Sequence, residues 1–265
     1  MFRGCLCRRR LDGPVRRAGG GVRPPPGRHF RTRVGLPRAR NLGIGAARGE
    51  VLAFTDVDTT PDARWLEAGL RRFDEDGAEF LAGAIAVPIG QRPSIAALVD
   101  ATTFFDQESY VIAGFAAGAN VWVRRSVVER FGGFNEALER YGGDDEEFGY
   151  RLTGAGVRLM HAPEVLVTHP PRRRLRDMAR KAFRLGYSQA ARRRVPAGSL
   201  SGTIPLYRRP SNYLPKRRLQ RLVRVAALAY EPTIVELLKM HAARYVCVQL
   251  AGLAGDYAGE RMVGR

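Results

Sequence analysis

Cysteine is scarce in this chain of 265 residues; Cys5, Cys7 and Cys247 are the whole complement. So few, and an odd number, argue against a disulfide framework and suit a reducing compartment. Long apolar runs are missing too. No stretch reaches the roughly 20 residues that a membrane-spanning helix needs. The basic N-terminus has no apolar segment behind it, so it does not read as a secretory signal. There is no internal repeat, no zinc-ligand spacing and no aromatic RNA-binding strand. The usual marks of a nucleic-acid-binding module are therefore absent.

Acidic residues are almost lacking from two stretches. Residues 1–40 hold 12 Arg and one acid, Asp12, a net +11. Residues 172–224 hold 17 basic side chains and one acid, Asp177, a net +16. Between them, residues 41–171 carry 11 basic and 20 acidic side chains, a net −9, and residues 225–265 balance at four of each. The overall +18 thus belongs to the flanks. A nucleic-acid binder spreads basic groups over its folded surface, whereas the part of this chain that reads as folded is acidic. No nucleic-acid partner is expected.

Three segments follow. Residues 1–38, rich in Arg, Gly and Pro and without a sustained period, read as a disordered tail. Residues 39–171 alternate strand and helix signals and form an α/β core. Residues 172–265 read as a basic, amphipathic helical extension. Within the core, "RARNLGIGAARG" predicts a short helix ending near Gly49, and Val51–Thr55 a buried strand. "DARWLEAGLRRFDEDG" sets Trp65, Leu66, Leu70 and Phe73 at helical spacing as core contacts. "AEFLAGAIAVPI" reads as a strand and "SIAALVDATTFF" as a helix. A strand at Asn120–Val123 precedes a helix at Arg125–Phe131, which Gly132 and Gly133 stop. "GGDDEEFGYRLTGAG" places four acids in a first helical turn, at the positive end of the dipole. There Glu147 pairs with Arg151, and Phe148 with Leu152 forms an inner face. "GVRLMHAPEVLVTHP" is a last strand that delivers His169. In the extension, Leu175, Met178, Ala179, Ala182 and Leu185 form one stripe. Residues 233–255 form a longer helix that packs on the domain or lies flat on a membrane.

The segment "VLAFTDVDTTPD" carries two aspartates just past a buried strand. Side chains two apart on a strand share a face, so Asp56 and Asp58 emerge together, about 7 Å apart along the chain. Two carboxylates this close repel, and a divalent cation relieves the repulsion. A plain solvated strand end, turning at Thr60-Pro61, is one alternative. A calcium loop is another, but it needs glycine where Pro61 stands and a helix where a strand precedes.

Four pieces stand in order: Asp56-x-Asp58 after a strand, "GAN" at 118–120, "GGDDEE" at 142–147, and His169 after a strand. Together they resemble the family 2 glycosyltransferases. The likeness covers about residues 37–190 and is carried by "ARNLGIGAARGEVLAFTDVDTTPDARWL", "GANVWVRRSVVERFGGFNE", "GGDDEEFGYRL" and "VTHP". It implies a GT-A fold, a nucleotide-diphosphate sugar as donor and an inverting transfer to a glycan or lipid-linked acceptor of the cell envelope. It further implies that Asp56, Asp58 and His169 hold Mn2+ or Mg2+. Asp145 is then the base, with Asp144 beside it where the family has a glutamate. Arg40 and Asn41 lie near the nucleotide, and Asn120 near the sugar.

The family opens with an apolar strand, a helix and two further strands, and nothing of that kind precedes Arg40. The abrupt change of composition near residue 37 suggests a reading-frame or start-site error, or a truncated and catalytically silent fragment. If the opening strands are absent, the strand before Asp56 is left with an exposed edge. The net +16 after His169 points to peripheral, cytoplasmic attachment at the anionic inner face of a membrane, with the 233–255 helix adding apolar contact.

Overall fold

A computed structural model describes residues 5–7, 35–138, 142–192 and 234–263. Strand β1 (Cys5–Cys7) comes first, then helix α1 (Leu36–Ala46) and strand β2 (Val51–Thr55). Strand β3 (Thr60–Pro61), helix α2 (Trp65–Glu75) and strand β4 (Phe80–Ala86) follow. Helices α3 (Ile95–Thr103) and α4 (Gln107–Ala113) lead to strand β5 (Asn120–Arg124) and helix α5 (Arg125–Phe131). Helix α6 (Asp144–Gly154) and strand β6 (Leu159–Thr168) complete the core. The extension holds α7 (Leu175–Arg192), α8 (Ile234–Arg244), a π-helical turn (Tyr245–Leu250) and α9 (Ala251–Val263). The class is α/β, as expected.

The six strands form one mixed sheet in the order β1-β2-β5-β4-β6-β3. β5 runs antiparallel to both β2 and β4, and β4 runs parallel to β6. Hence β2, β4 and β6 share a direction and end at one edge of the sheet, where β5 begins. In open α/β sheets the carboxyl ends of the strands are where ligands bind.

Alternation along the strands feeds two cores. Leu52, Phe54, Phe80, Val121 and Val123 pack against Val127 and Val128 of α5 and Phe148 and Leu152 of α6. Val51, Ala53, Leu81 and Trp122 pack against Trp65, Ala68 and Phe73 of α2. Gly69 is needed there, because a methyl group on it would meet the Trp122 ring at 2.4 Å. A third cluster joins Leu98 and Val99 of α3 to Met178 and Ala182 of α7, Met240 of α8 and Val248. The extension thus packs on the core through α3. Asp100 of α3, fully buried, reinforces the joint by accepting from the Arg172 guanidinium and its backbone N–H, both at 2.9 Å.

Four expectations change. Residues 5–7, inside the stretch read as disordered, pair with β2 at its outer edge, and residues 36–38 open α1. Three residues suffice there because the pairing is made by backbone groups alone. The rest of 1–34, like residues 193–233, lies outside the described residues. Thr60-Pro61 is a strand rung against Val167 and Thr168, not a turn. Leu66 is 45% exposed. Trp65 takes the inward direction, and its neighbour points about 100° away around the helix. Finally, the expected 233–255 helix is divided by the π turn and continues to Val263.

Helices α7 and α9 touch backbone to backbone. A methyl group on Gly255 would lie 1.9 Å from the Phe183 carbonyl oxygen, and one on Gly186 would lie 1.9 Å from that of Gly252. Gly255→Val therefore pushes the helices apart, and overpacking of this kind costs about 1–3 kcal/mol. Thermal denaturation should show a midpoint lowered by about 5 °C. Gly154→Ala, where a methyl group meets nothing within 4 Å, should stay close to the parent.

Candidate active site

The site is built on the strand-end edge. After β2 the chain makes a tight turn. The Asp56 carbonyl accepts from the Thr59 N–H at 3.2 Å and from its hydroxyl at 2.7 Å. Thr55 and Thr59 share a second hydroxyl contact at 2.5 Å. It is this turn, not alternation along a strand, that brings Asp56 and Asp58 together.

His169 extends the β4–β6 ladder, its N–H donating to the Ala86 carbonyl at 2.8 Å. Its Nδ1 lies 2.8 Å from the Pro170 carbonyl. A carbonyl can only accept, so Nδ1 carries a proton, and in the neutral imidazole Nε2 is the nitrogen with the free lone pair. Nε2 is 3.6 Å from a carboxylate oxygen of Asp58. One ligand atom from each of Asp56, Asp58 and His169 lies within 4.8 Å of the others. The Phe105 ring lies against the buried imidazole, tilted by 36°, with centroids 4.3 Å apart. Phe105 does so from a left-handed backbone, φ 61°. Two carboxylates and a tautomer-fixed imidazole suit a divalent cation such as Mn2+ or Mg2+. Burial pushes the Asp56 pKa up; Arg40 opposes this, and Asp145 and Asp58 add to it. A bound cation would remove that strain.

Arg40 of α1 is buried beside these acids. Its Nη1 donates to Asp144 at 2.5 Å, and its Nη2 is 3.9 Å from Asp56. The guanidinium also sits 4.9 Å from the Phe134 ring centroid. Burial alone would lower its pKa, but Asp144, Asp145 and Asp56 outweigh burial and raise it. Gly118 gives it room, since a methyl group there would meet Nη2 at 2.1 Å.

At the start of α6 the two aspartates part company. Asp144 is 2% exposed and spent on Arg40. Its pKa is raised, first by burial, with Arg40 opposing. In this structure it holds Arg40 beside the site. Asp145 is half-buried, and its carboxylate accepts from the Gly118 and Glu146 N–H groups, both at 3.0 Å. It is therefore oriented yet reachable. The expected Glu147–Arg151 pair is made at 2.8 Å. Arg151 also donates to the Phe131 and Gly133 carbonyls, both at 2.6 Å.

Two further residues expected near the donor are engaged by the protein itself. Asn41 uses its amide on the loop after α5. Its Nδ2 donates to the Phe134 carbonyl at 2.8 Å and to Glu136 at 2.9 Å, while its Oδ1 accepts from the Phe134 N–H at 2.8 Å. Asn120 is fully buried. Its Oδ1 accepts from the indoles of Trp65 (2.9 Å) and Trp122 (3.2 Å), and its Nδ2 donates to the Ala84 and Val165 carbonyls at 2.8 and 2.7 Å. That satisfies both of its donors and both acceptor positions. It ties α2, β4, β5 and β6 together.

Lys181 of α7 was not visible from the sequence. Its ammonium lies 3.9 Å from the Phe105 ring centroid and 4.2 Å from that of Phe104. The only available signal was its place on an otherwise apolar stripe edge. Burial pushes its pKa down to about 7; Arg172 pushes the same way, and Asp100, Asp145 and Asp56 oppose. An unfolded lysine titrates near 10.4. Between about pH 7 and 10 the unfolded state therefore binds the extra proton, and stability rises with pH. Lys181→Met should melt above the parent at pH 6 to 7, with the gap closing toward pH 10. A midpoint below the parent at every pH would refute the assignment.

Beside Asp58 opens a cleft of about 630 Å3, lined by Thr60, Pro88–Arg92, Ser94, Thr168 and Arg173 among others.

Residues 27–132 match the family model described as "Glycosyl transferase family 2", ahead of the expected start near residue 37. The chain is similar to the pre-mycofactocin glycosyltransferase of Mycobacterium tuberculosis, 34% identical over 157 residues, 56% of this chain and 33% of that protein. It is also similar to the glycosyltransferase AglE of Haloferax volcanii, 31% identical over 185 residues, 66% of this chain and 60% of that protein. The chain thus spans between a third and three fifths of these curated relatives. Among solved structures it is similar to the mannosyltransferase PcManGT of Pyrobaculum calidifontis, in complex with GDP-Man and Mn2+, with TM-score 0.49 and 20% identity over 86% of this chain and 67% of that one.

Proposed function

We propose, from the match of residues 27–132 to the family 2 glycosyltransferase model and the likeness to two named glycosyltransferases, that the chain is a transferase of this family and moves a sugar from a nucleotide-diphosphate sugar to an acceptor hydroxyl with inversion. The observation that carries the proposal is the cluster of Asp56, Asp58 and His169, within 4.8 Å of one another, on the same edge as the oriented carboxylate of Asp145. Asp56, Asp58 and His169 would hold Mn2+ or Mg2+, which when bound neutralises charge on the leaving diphosphate. The tautomer set by Pro170 leaves Nε2 of His169 as the ligand atom. Asp145 accepts the proton of the acceptor hydroxyl as that oxygen attacks the anomeric carbon from the face opposite the diphosphate. Its hydrogen bond from Gly118 keeps it aimed. Arg40 fixes Asp144 and balances the acids while the site is empty of substrate. The acceptor is a glycan or lipid-linked glycan of the cell envelope.

Binding and chemistry separate these roles. Asp58→Ala should abolish Mn2+-dependent nucleotide-sugar binding and leave the far-UV circular dichroism unchanged. Asp145→Asn should bind donor as the parent does and transfer about a hundredfold more slowly or worse. Parental affinity in the first variant, or parental transfer in the second, would reassign the residue concerned.

The basic stretch 172–224 supports peripheral attachment to the cytoplasmic face of a membrane. Each Lys or Arg near an anionic leaflet contributes about 1 kcal/mol, and salt screens it. No helix among the described residues is long and apolar enough to cross a membrane. In flotation assays the protein should rise with anionic vesicles at low salt and release as salt increases. Equal binding to neutral vesicles would show that charge is not the anchor.

A further inference from the structure

Among the described residues, eight positions have a positive backbone φ; seven are glycine and the eighth is Phe105, at φ 61°. A bulky side chain is an outlier there. Strain of this kind persists only where the surroundings over-determine it. The backbone here is held on both sides. Phe104 caps α3, its N–H donating to the Asp100 carbonyl at 3.1 Å, and the Phe105 carbonyl accepts from the N–H of Gln107, the first residue of α4, at 3.1 Å. Glycine would relieve the strain, so the ring is what the position retains at that cost.

Three polar groups meet that ring. The His169 imidazole lies 4.3 Å from it between centroids, the Lys181 ammonium of α7 lies 3.9 Å from its centroid, and the Arg172 guanidinium lies 5.8 Å away. For His169 the contact has a consequence. Its Nδ1 bonds to the carbonyl of the very next residue. One such bond is a pivot, fixing one ring atom and leaving the plane free to swing about it. A second ring lying against the imidazole removes that freedom. With the plane fixed, Nε2 stays on the side of Asp58, 3.6 Å away. Core packing is mainly the work of the neighbour: Phe104 is buried in the third hydrophobic cluster, and Phe105 is only partly buried at its margin.

We propose that Phe105 is a positioning residue whose ring, held by Lys181 of α7, fixes the imidazole plane of His169 and so presents Nε2 to a divalent cation. The inference rests on the metal-assisted transfer proposed above and adds to it a residue that acts through His169.

Two measurements on the full chain test it. In the first, Mn2+ is titrated and the free ion followed by electron paramagnetic resonance. Phe105→Leu keeps apolar bulk and removes the flat ring. It should bind Mn2+ about tenfold more weakly, the lower end of what losing an orienting neighbour costs a metal site, whereas Phe105→Tyr restores the ring and should bind within about twofold of the parent. Phe104→Leu is the control, since Phe104 also carries Lys181, at 4.2 Å from its centroid, and is the more deeply buried. It should lower the thermal midpoint and leave Mn2+ affinity close to the parent. Phe105→Gly relieves the left-handed backbone and deletes the ring, so it replaces Phe105→Leu should that variant not fold, with the same loss expected. The second measurement needs no metal. At about pH 8 an ordinary imidazole is neutral. There, 13C relaxation of the His169 ring should give an order parameter near the rigid value of about 0.85 in the parent and below about 0.6 in Phe105→Leu. An imidazole as ordered in Phe105→Leu as in the parent, parental Mn2+ affinity in that variant, or an equal loss in Phe104→Leu would each overturn the proposal. If the parent itself takes up no Mn2+, the metal reading fails, and the order of the imidazole alone decides the place of Phe105.

Discussion

Four aspartates crowd one edge of the sheet, and the buried guanidinium of Arg40 is the interaction that makes this tolerable. Asp144 at 2.5 Å and Asp56 at 3.9 Å both face it. An arginine suits the task because it stays charged when buried and offers several donors in a fixed plane. Much else follows from its presence. Residue 118 has no room for a side chain. Phe134 provides a ring for the guanidinium, and Asn41, one residue along α1, fastens the backbone of Phe134. Removing such a cation would leave buried acids unpaired, a far larger penalty than the pair itself repays.

The edge is held open for ligands by groups that never reach it. Asn120 saturates its amide on two indoles and two carbonyls and so locks the sheet beneath the site. Its backbone carbonyl accepts in turn from Gln107 of α4 at 3.0 Å. Gln107 also pairs with the backbone of Ala117, one residue before the glycine that orients Asp145. The helical extension is drawn into the same arrangement. Its first arginine is clamped by Asp100, and Lys181 rests on the phenyl ring that packs against His169. Core and extension therefore meet beside His169 as well as at the third hydrophobic cluster.

What could be read from the sequence was what local rules control. Period, caps and glycine stops give Val51–Thr55 and Arg125–Phe131 with the observed bounds, and the i,i+4 rule gives Glu147–Arg151. That Asp56, Asp58 and His169 come together was implied only by the family resemblance, and their ligand atoms do lie within 4.8 Å of one another. Partners far away in sequence were not legible. Asn41 and Phe134 are 93 residues apart, and Arg40 and Asp144 are 104 apart. An asparagine committed to protein and one left for a sugar look the same until such partners are known. The pairing of Cys5–Cys7 with β2 was hidden for a related reason, since backbone hydrogen bonds carry no side-chain signature.

The π turn at Tyr245–Leu250 joins two helices that must each meet a different neighbour. α8 packs along α3, while α9 turns Gly255 and Gly259 onto the backbone of α7. In a π turn the hydrogen bonds span i to i+5, so it takes in more chain than an ordinary turn. It therefore acts as a phase shifter between two rigid rods. Each α-helical residue advances about 100°, so the loss of one residue there would rotate all of α9 by that amount. Its glycines would then face away from α7 with no substitution having been made. The length of this turn, more than its composition, carries the information that matters.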